Sequence, residues 1–280
     1  MNDSKQRQAE SIRAKLNNLA KKRSAPFEVI LTSFLIERAV RRLMTEDQLG
    51  RNLIFKGGFV SISIYSSPRF TVDLDAVLHG ITLDDAETLS KKSLLQDFED
   101  GVWFVFEASV PLTNQTEYGG RRLQLRSGLF PQPEDIKRAK ILHIDLGVGD
   151  PVTPKPLKLT TPSLLGGEDI SWSVYPVETI CAEKIHPFVI LGSNNSRSKD
   201  LFDLYFLLPK VDLIQFREAI RRTFEYRTTP IPESFLRHFQ ALDKRVLTKG
   251  WRAATVDIKP LPIFEECWDW VITFFERHNL

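Results

Sequence analysis

Hydrophobic and polar positions along this chain follow two periods in turn. Phe27, Ile30, Leu31, Phe34 and Leu35 recur at helical spacing, so a helix is expected from Pro26, which suits a first turn, to about Leu43. Before it, residues 4–22 are polar and helix-forming, with Ile12, Leu16 and Leu19 on one face. So thin a stripe predicts a helix that packs loosely or meets a partner. Leu53–Lys56 reads as a short strand, Gly57-Gly58 as the start of a short helix to Tyr65, and Ser66-Ser67-Pro68 as its end. Arg69–Leu78 changes period: Phe70, Val72 and Leu74 alternate with Thr71, Asp73 and Asp75, which predicts a strand. Leu83–Asp97 reads as a helix, and Val102–Val110, Tyr118–Arg126 and Ala139–Val148 as strands. Residues 147–162 hold several Pro, Gly and Thr and read as loop.

From Tyr175 onward the pattern is helical: from Pro176 through Ile185, Leu201–Leu208, about 212–226, about 232–244 and Ile263–Arg277. Phe264, Trp268, Val271 and Phe275 of the last segment form a stripe that reads as core. The expected class is α+β, a mixed sheet with flanking helices followed by an all-helical part. The expected organisation is N-terminal helices over 1–50, a sheet core over 51–170 and a helical C-terminal domain over 171–280, with the softest boundary near 165–175.

Composition changes this picture little. The chain has 280 residues, enough for one large domain or two, and 42% hydrophobic with 26% charged residues is ordinary for a soluble protein. A net charge of +2 selects no partner, although residues 1–23 are markedly basic. Cys181 and Cys267 lie in apolar helical surroundings and make no zinc or disulfide pattern. No signal peptide opens the sequence, and no apolar run reaches about 18 residues. A cytoplasmic protein is the expectation, without a membrane partner.

Charged residues on strands carry the candidate chemistry. Asp73 and Asp75 share a strand face, with Cβ atoms about 6–7 Å apart. Two carboxylates that close repel unless a cation sits between them. A divalent ion such as Mg²⁺ takes hard oxygen ligands and often adds substrate phosphates, and Gly57 and Gly58 would let backbone N–H groups approach such phosphates. Asp145 is a lone acid in an apolar strand, so it needs pairing or a metal. The bland alternative is the solvated face of an edge strand. His143, on the same side as Asp145, reads as a packed histidine. Arg122, Gln124 and Arg126 share a face, either merely exposed or a basic surface for nucleic-acid phosphates. Arg38, Arg41 and Arg42 read as the solvated side of their helix.

Lys56-Gly57-Gly58, Arg69-Phe70-Thr71-Val72-Asp73-Leu74-Asp75, Asp145, Ala182-Glu183-Lys184 and Arg197-Ser198-Lys199-Asp200 with Asp203 beyond follow one another in order. This series resembles the nucleotidyltransferase toxins of the AbiEii family, the toxin halves of abortive-infection, type IV toxin–antitoxin pairs. The resemblance spans about residues 26–208. Two positions depart from the family pattern: Thr71 stands for the usual Ser, and Phe59 stands where Thr is common, which would reshape the pocket and bears on nucleotide preference.

The resemblance implies a nucleotidyltransferase-fold sheet and transfer of a nucleotide from an NTP to an acceptor. In several similar proteins that acceptor is the 3′ end of tRNA, and translation stops. It implies two Mg²⁺ ions, with Mn²⁺ as a possible substitute, held by Asp73, Asp75 and Asp145. It places Lys56, Gly57, Gly58, Arg69, Thr71, Arg197 and Lys199 as nucleotide-binding, and Lys184 and Asp200 as catalytic. Lys184 would offset triphosphate charge. Asp200 would position Lys184 or bind base or ribose, or else form an interhelical salt-bridge cluster with Arg197 and Lys199. Asp203 reads as packing support. A cleft is expected between the two parts of the chain. The expected partners are the NTP, RNA and an antitoxin from a neighbouring gene, with or without direct contact, around a monomer. The competing readings are an Mg-NTP-dependent enzyme that modifies a protein, a catalytically silent nucleotide- or RNA-binding module, and a structural interaction protein.

Overall fold

The computed structural model describes residues 2–112, 119–149 and 151–280. In chain order the elements are α1 (Asn2–Lys22), α2 (Phe27–Met44), α3 (Asp47–Asn52), β1 (Leu53–Lys56), α4 (Gly57–Ser63), β2 (Asp73–Leu78), α5 (Leu83–Leu94), β3 (Val102–Pro111), β4 (Gly120–Leu129), β5 (Lys140–Val148), β6 (Leu157–Thr161), β7 (Ile170–Val174), α6 (Val177–Leu191), α7 (Ser198–Leu207), α8 (Leu213–Tyr226), α9 (Phe235–Gln240), α10 (Arg245–Thr255) and α11 (Phe264–Arg277). They form two compact units that interleave in sequence. One comprises Met1–Ser63, Phe70–Gly149 and Lys158–Val174; the other comprises Ile64–Arg69, Asp150–Leu157 and Tyr175–Leu280.

The first unit is built on a seven-stranded mixed sheet of order β3-β4-β5-β2-β1-β7-β6. β1 runs antiparallel to β2 and parallel to β7; β2 runs parallel to β5, and β3, β4 and β5 follow antiparallel. Period-two alternation does the sorting. Leu74 and Ala76 of β2, Leu142, Ile144 and Leu146 of β5, and Leu123 and Leu125 of β4 are buried. α2 packs on β5 and β7, and α5 on β4. The opposite face of the same strands carries Asp73, Asp75, His143, Asp145, Arg122 and Gln124, since these positions are in register across β2, β5 and β4.

Several expectations need correction. Of the thin stripe of α1, Leu16 is fully buried, with Ala9 and Ala20 buried beside it, while Ile12 and Leu19 are half-buried. Arg38 and Arg42 are not a solvated face. Arg42 is 1% exposed and grips Asp100 through Nη1 at 3.0 Å and Nη2 at 2.8 Å. It also donates to the Val102 carbonyl and lies over the rings of Phe98 and Phe104. Arg38 donates to Ser163 Oγ and pairs with Glu37, whose carboxylate receives the Leu164 N–H; Arg41 pairs with Glu168. A buried charge tied by this many hydrogen bonds is costly to orphan.

The strand expected from Arg69 begins at Asp73. Its predicted opening is taken by a local turn, in which the Thr71 hydroxyl donates to the Asp73 carbonyl and accepts from the Asp73 N–H. β6 and β7 lie in stretches read as loop and boundary. Ile170, Trp172 and Val174 point inward, and Trp172 packs on Phe55 and Phe59. The predicted start of β4 at Tyr118 lies outside the described residues.

The second unit is helical. The stripe of α11, Phe264, Trp268, Val271 and Phe275, is buried as core, and Phe239 of α9 packs on Trp268 and Phe275. The segment read as a helix over 232–244 is instead the short α9, followed by a separate α10 whose Leu247 and Trp251 are buried. Among the described residues no helix is long and apolar enough to cross a membrane. Both cysteines are buried free thiols, and burial pushes the Cys181 thiol well up.

Candidate active site

On the polar face of the first unit's sheet the central position is Asp75. The register sets it beside Lys56 of β1 on one side and Asp145 of β5 on the other, while Asp73 sits opposite His143. Neighbouring strands lie about 4.8 Å apart, so these five side chains form one compact patch of three carboxylates, an imidazole and an ammonium.

Asp73 and Asp145 are each met by a side chain from a neighbouring strand. Asp73 Oδ1 lies 3.2 Å from His143 Nδ1. Asp145, 8% exposed, takes a bidentate grip from Arg122, with Nε on Oδ1 and Nη2 on Oδ2, both at 2.7 Å. The Asp145 carboxylate raises the pKa of the Arg122 guanidinium, against the effect of its partial burial. Among the described residues no group of three or more His, Cys, Asp or Glu is poised to hold a metal ion. The chemistry of the donor set nevertheless fits one: three hard-oxygen carboxylates on adjacent strands, in register, on one face.

The glycine pair makes room for this patch. Gly57 has φ of +71°, and a Cβ there would lie 2.1 Å from Asp75 Oδ2. A Cβ on Gly58 would lie 2.9 Å from the Cβ of Thr71. Gly57→Ala is therefore expected to destabilise the fold by about 1–2 kcal/mol through its left-handed backbone. It should also turn the Asp75 carboxylate aside, and a melting curve beside a transfer-rate measurement reads both effects. Phe59, the second departure from the family pattern, is buried against Trp172.

The second unit brings together the other predicted residues. Lys184 of α6 reaches Asp200 Oδ1 at 2.9 Å and Asp203 Oδ2 at 2.6 Å, both on α7. Arg197 Nε holds Asp200 Oδ2 at 2.7 Å. Arg69 Nη1 donates to Asp203 Oδ2 at 2.6 Å and to the Lys199 carbonyl at 3.2 Å. Asp203 is thus more than packing support: it is 3% exposed and shared by two cations. Three cations against two carboxylates leave the cluster with one positive charge in excess. Burial opposes charge on Lys184, but Asp200 and Asp203 outweigh it and raise its pKa. Burial likewise opposes charge on Asp200, and Lys184 and Arg197 outweigh it and lower its pKa.

Sequence reasoning passed over two residues. His143 reads as packed, although its i, i+2 spacing to Asp145 puts both on one face. Arg122 reads from the sequence as facing solvent or nucleic acid; in the structure it binds Asp145. Arg126 is likewise internal, holding Glu107 and the carbonyls of Lys137 and Ala139.

Comparison with solved structures returns the same architecture. The nucleotidyltransferase toxin MenT4 of Mycobacterium tuberculosis superposes with a TM-score of 0.65 at 16% identity, over 95% of this chain and 89% of that one. JHP933 from Helicobacter pylori superposes with a TM-score of 0.53 at 15% identity, over 87% and 89%. No curated protein sequence gives a significant match. The sequence model described as nucleotidyl transferase AbiEii toxin, type IV toxin–antitoxin system, matches residues 38–272. The chain is a member of the AbiEii family of nucleotidyltransferase toxins, a family of enzymes that transfer nucleotides and are paired with antitoxins.

Proposed function

We propose that this toxin transfers a nucleotidyl group from an NTP to the 3′ hydroxyl of tRNA and so halts translation. The observation that carries the catalytic part is the in-register set Asp73, Asp75 and Asp145 on one sheet face. The RNA acceptor is supported by the family resemblance.

In the proposed reaction the acceptor oxygen attacks the α-phosphorus and forms a new P–O bond. The bond from the α-phosphorus to the oxygen bridging to the β-phosphate breaks, and pyrophosphate leaves. The hydroxyl proton passes to the Asp145 carboxylate. Asp73, Asp75 and Asp145 would hold divalent ions, two Mg²⁺ or Mn²⁺ in their place, whose chemistry is to stabilise both the attacking and the leaving oxygen of an in-line displacement. Lys56, Gly57, Gly58 and the Thr71 hydroxyl would receive the β and γ phosphates. In the helical unit, the Lys184 cluster, with Arg69, Arg197, Lys199 and Asp200, is the proposed binder of substrate anions, its surplus charge suiting phosphate. The toxin is proposed to act as a cytoplasmic monomer, restrained by an antitoxin encoded beside it.

The test is incubation of the full chain with tRNA, Mg²⁺ and each α-labelled NTP in turn. Label on the RNA 3′ end is expected. Label on protein, or none on RNA with any NTP, overturns the RNA assignment.

A further inference from the structure

Both oxygens of Asp145 face the guanidinium of Arg122, at 2.7 Å each. Among the described residues the hydrogen bonds of the Arg122 side chain go to Asp145, whereas Arg126, two residues on, is fixed by Glu107 and two backbone carbonyls. Arg122 is also the less enclosed partner of its pair, with a quarter of its side chain exposed against 11% for Asp145. Arg122 is thus the partner with the greater access to solvent. A guanidinium on both oxygens of a carboxylate occupies lone pairs that a divalent cation would use and repels that cation, so the two compete for Asp145.

We propose that Arg122 is a positioning residue that acts through Asp145. It holds the third carboxylate of the patch, and it must release that carboxylate before Asp145 can join Asp73 and Asp75 around a divalent ion. The exchange sets the affinity of the site for the ion. It also frees, on the same face, a planar donor fork whose geometry matches phosphate oxygens. This rests on the metal reading of the three carboxylates given above.

The experiment is a Mn²⁺ titration of the full chain without nucleotide, followed by calorimetry and by the Mn²⁺ paramagnetic resonance signal. The chains compared are wild type, Arg122→Met, Asp145→Asn, the double variant Arg122→Met/Asp145→Asn, and Asp73→Asn, with circular dichroism confirming each fold. Arg122→Met is expected to tighten Mn²⁺ binding about tenfold, the value of one lost charge-assisted hydrogen-bond pair. Arg122→Lys, which keeps the charge and loses the fork, should tighten it by less, and it serves if the Met variant fails to fold.

The gain must vanish in the Asp145→Asn background. Unchanged or weaker binding in both Arg122 variants overturns the proposal, and so does a gain that survives Asp145→Asn, which would mean simple charge repulsion. Asp73→Asn separates the two levels. If it abolishes Mn²⁺ binding while the Arg122 variants change nothing, the metal reading stands and the exchange role falls. If Asp73→Asn leaves binding intact, the metal reading itself falls.

Discussion

Asp73→Ala should reduce nucleotide transfer by at least about 10³-fold while leaving the fold standing. The size follows from the role. Charge stabilisation by a bound ion contributes several kcal/mol to a phosphoryl transition state, and each ~1.4 kcal/mol is tenfold in rate. The fold should survive because Asp73 is the first residue of β2 and half-buried, and its hydrogen bond goes to His143, which keeps neighbours in β5 when the carboxylate is gone. The measurement is the single-turnover rate with saturating NTP, beside a thermal melt. Transfer that persists within tenfold of wild type, in a chain that melts normally, would remove Asp73 from the site. Asp73→Asn is the sharper companion, since it keeps the shape and the contact with His143 and removes only the charge.

The carboxylate patch was legible in the sequence because a strand's period is two: Asp73, Asp75 and Asp145 are displayed by apolar neighbours that can only face the other way. Register was not legible. Nothing local says that Asp75 sits opposite Asp145, or that Arg122 reaches across from β4, because strand pairing is a long-range choice. The same reason hid Arg42. On a helix with an apolar face, three arginines look solvated, and their partners, Asp100 for Arg42 and Ser163 for Arg38, come from loops 58 and 125 residues away.

β7 is a different case. Ile170-Ser171-Trp172-Ser173-Val174 alternates as plainly as β2, but the Pro-, Gly- and Thr-containing stretch before it reads as loop and boundary. The interleaving of the two units, with Ile64–Arg69 grouped with the helices, has no signature in composition at all. What the motif order did carry was the set of residues in the helical unit: Lys184, Arg197, Asp200 and Asp203 meet as one cluster because α6 and α7 pack together.

That cluster carries the second large effect, on stability. Lys184→Met should cost the helical unit about 3 kcal/mol, toward the lower end for breaking a buried ion pair, because Arg69 and Arg197 still serve Asp203 and Asp200. For a unit of this size the loss lowers the melting temperature by roughly 10 °C. The dependence on pH follows from the direction of each shift. Asp200 is depressed below its ordinary 3.8, so its contribution is present above about pH 4 and is lost as pH falls through the folded value. Lys184 is raised above its ordinary 10.5, so its contribution is present below that value and is lost as pH rises through the folded one. Wild type should therefore show a plateau between these limits.

In Lys184→Met the main counter-charge of Asp200 is gone, and the acid edge of the plateau should move to higher pH. Melting curves at half-unit pH steps read both effects. A second variant decides whether the cluster is kept for stability or for ligand. Replacing the lysine and both acids together, Lys184→Met/Asp200→Asn/Asp203→Asn, removes the buried lysine with its two carboxylates but leaves Arg69 without its acid, so it should recover only part of the lost stability. If that triple variant melts above Lys184→Met yet transfers no nucleotide, the charges are retained for the substrate's phosphates; if it transfers normally, they are not.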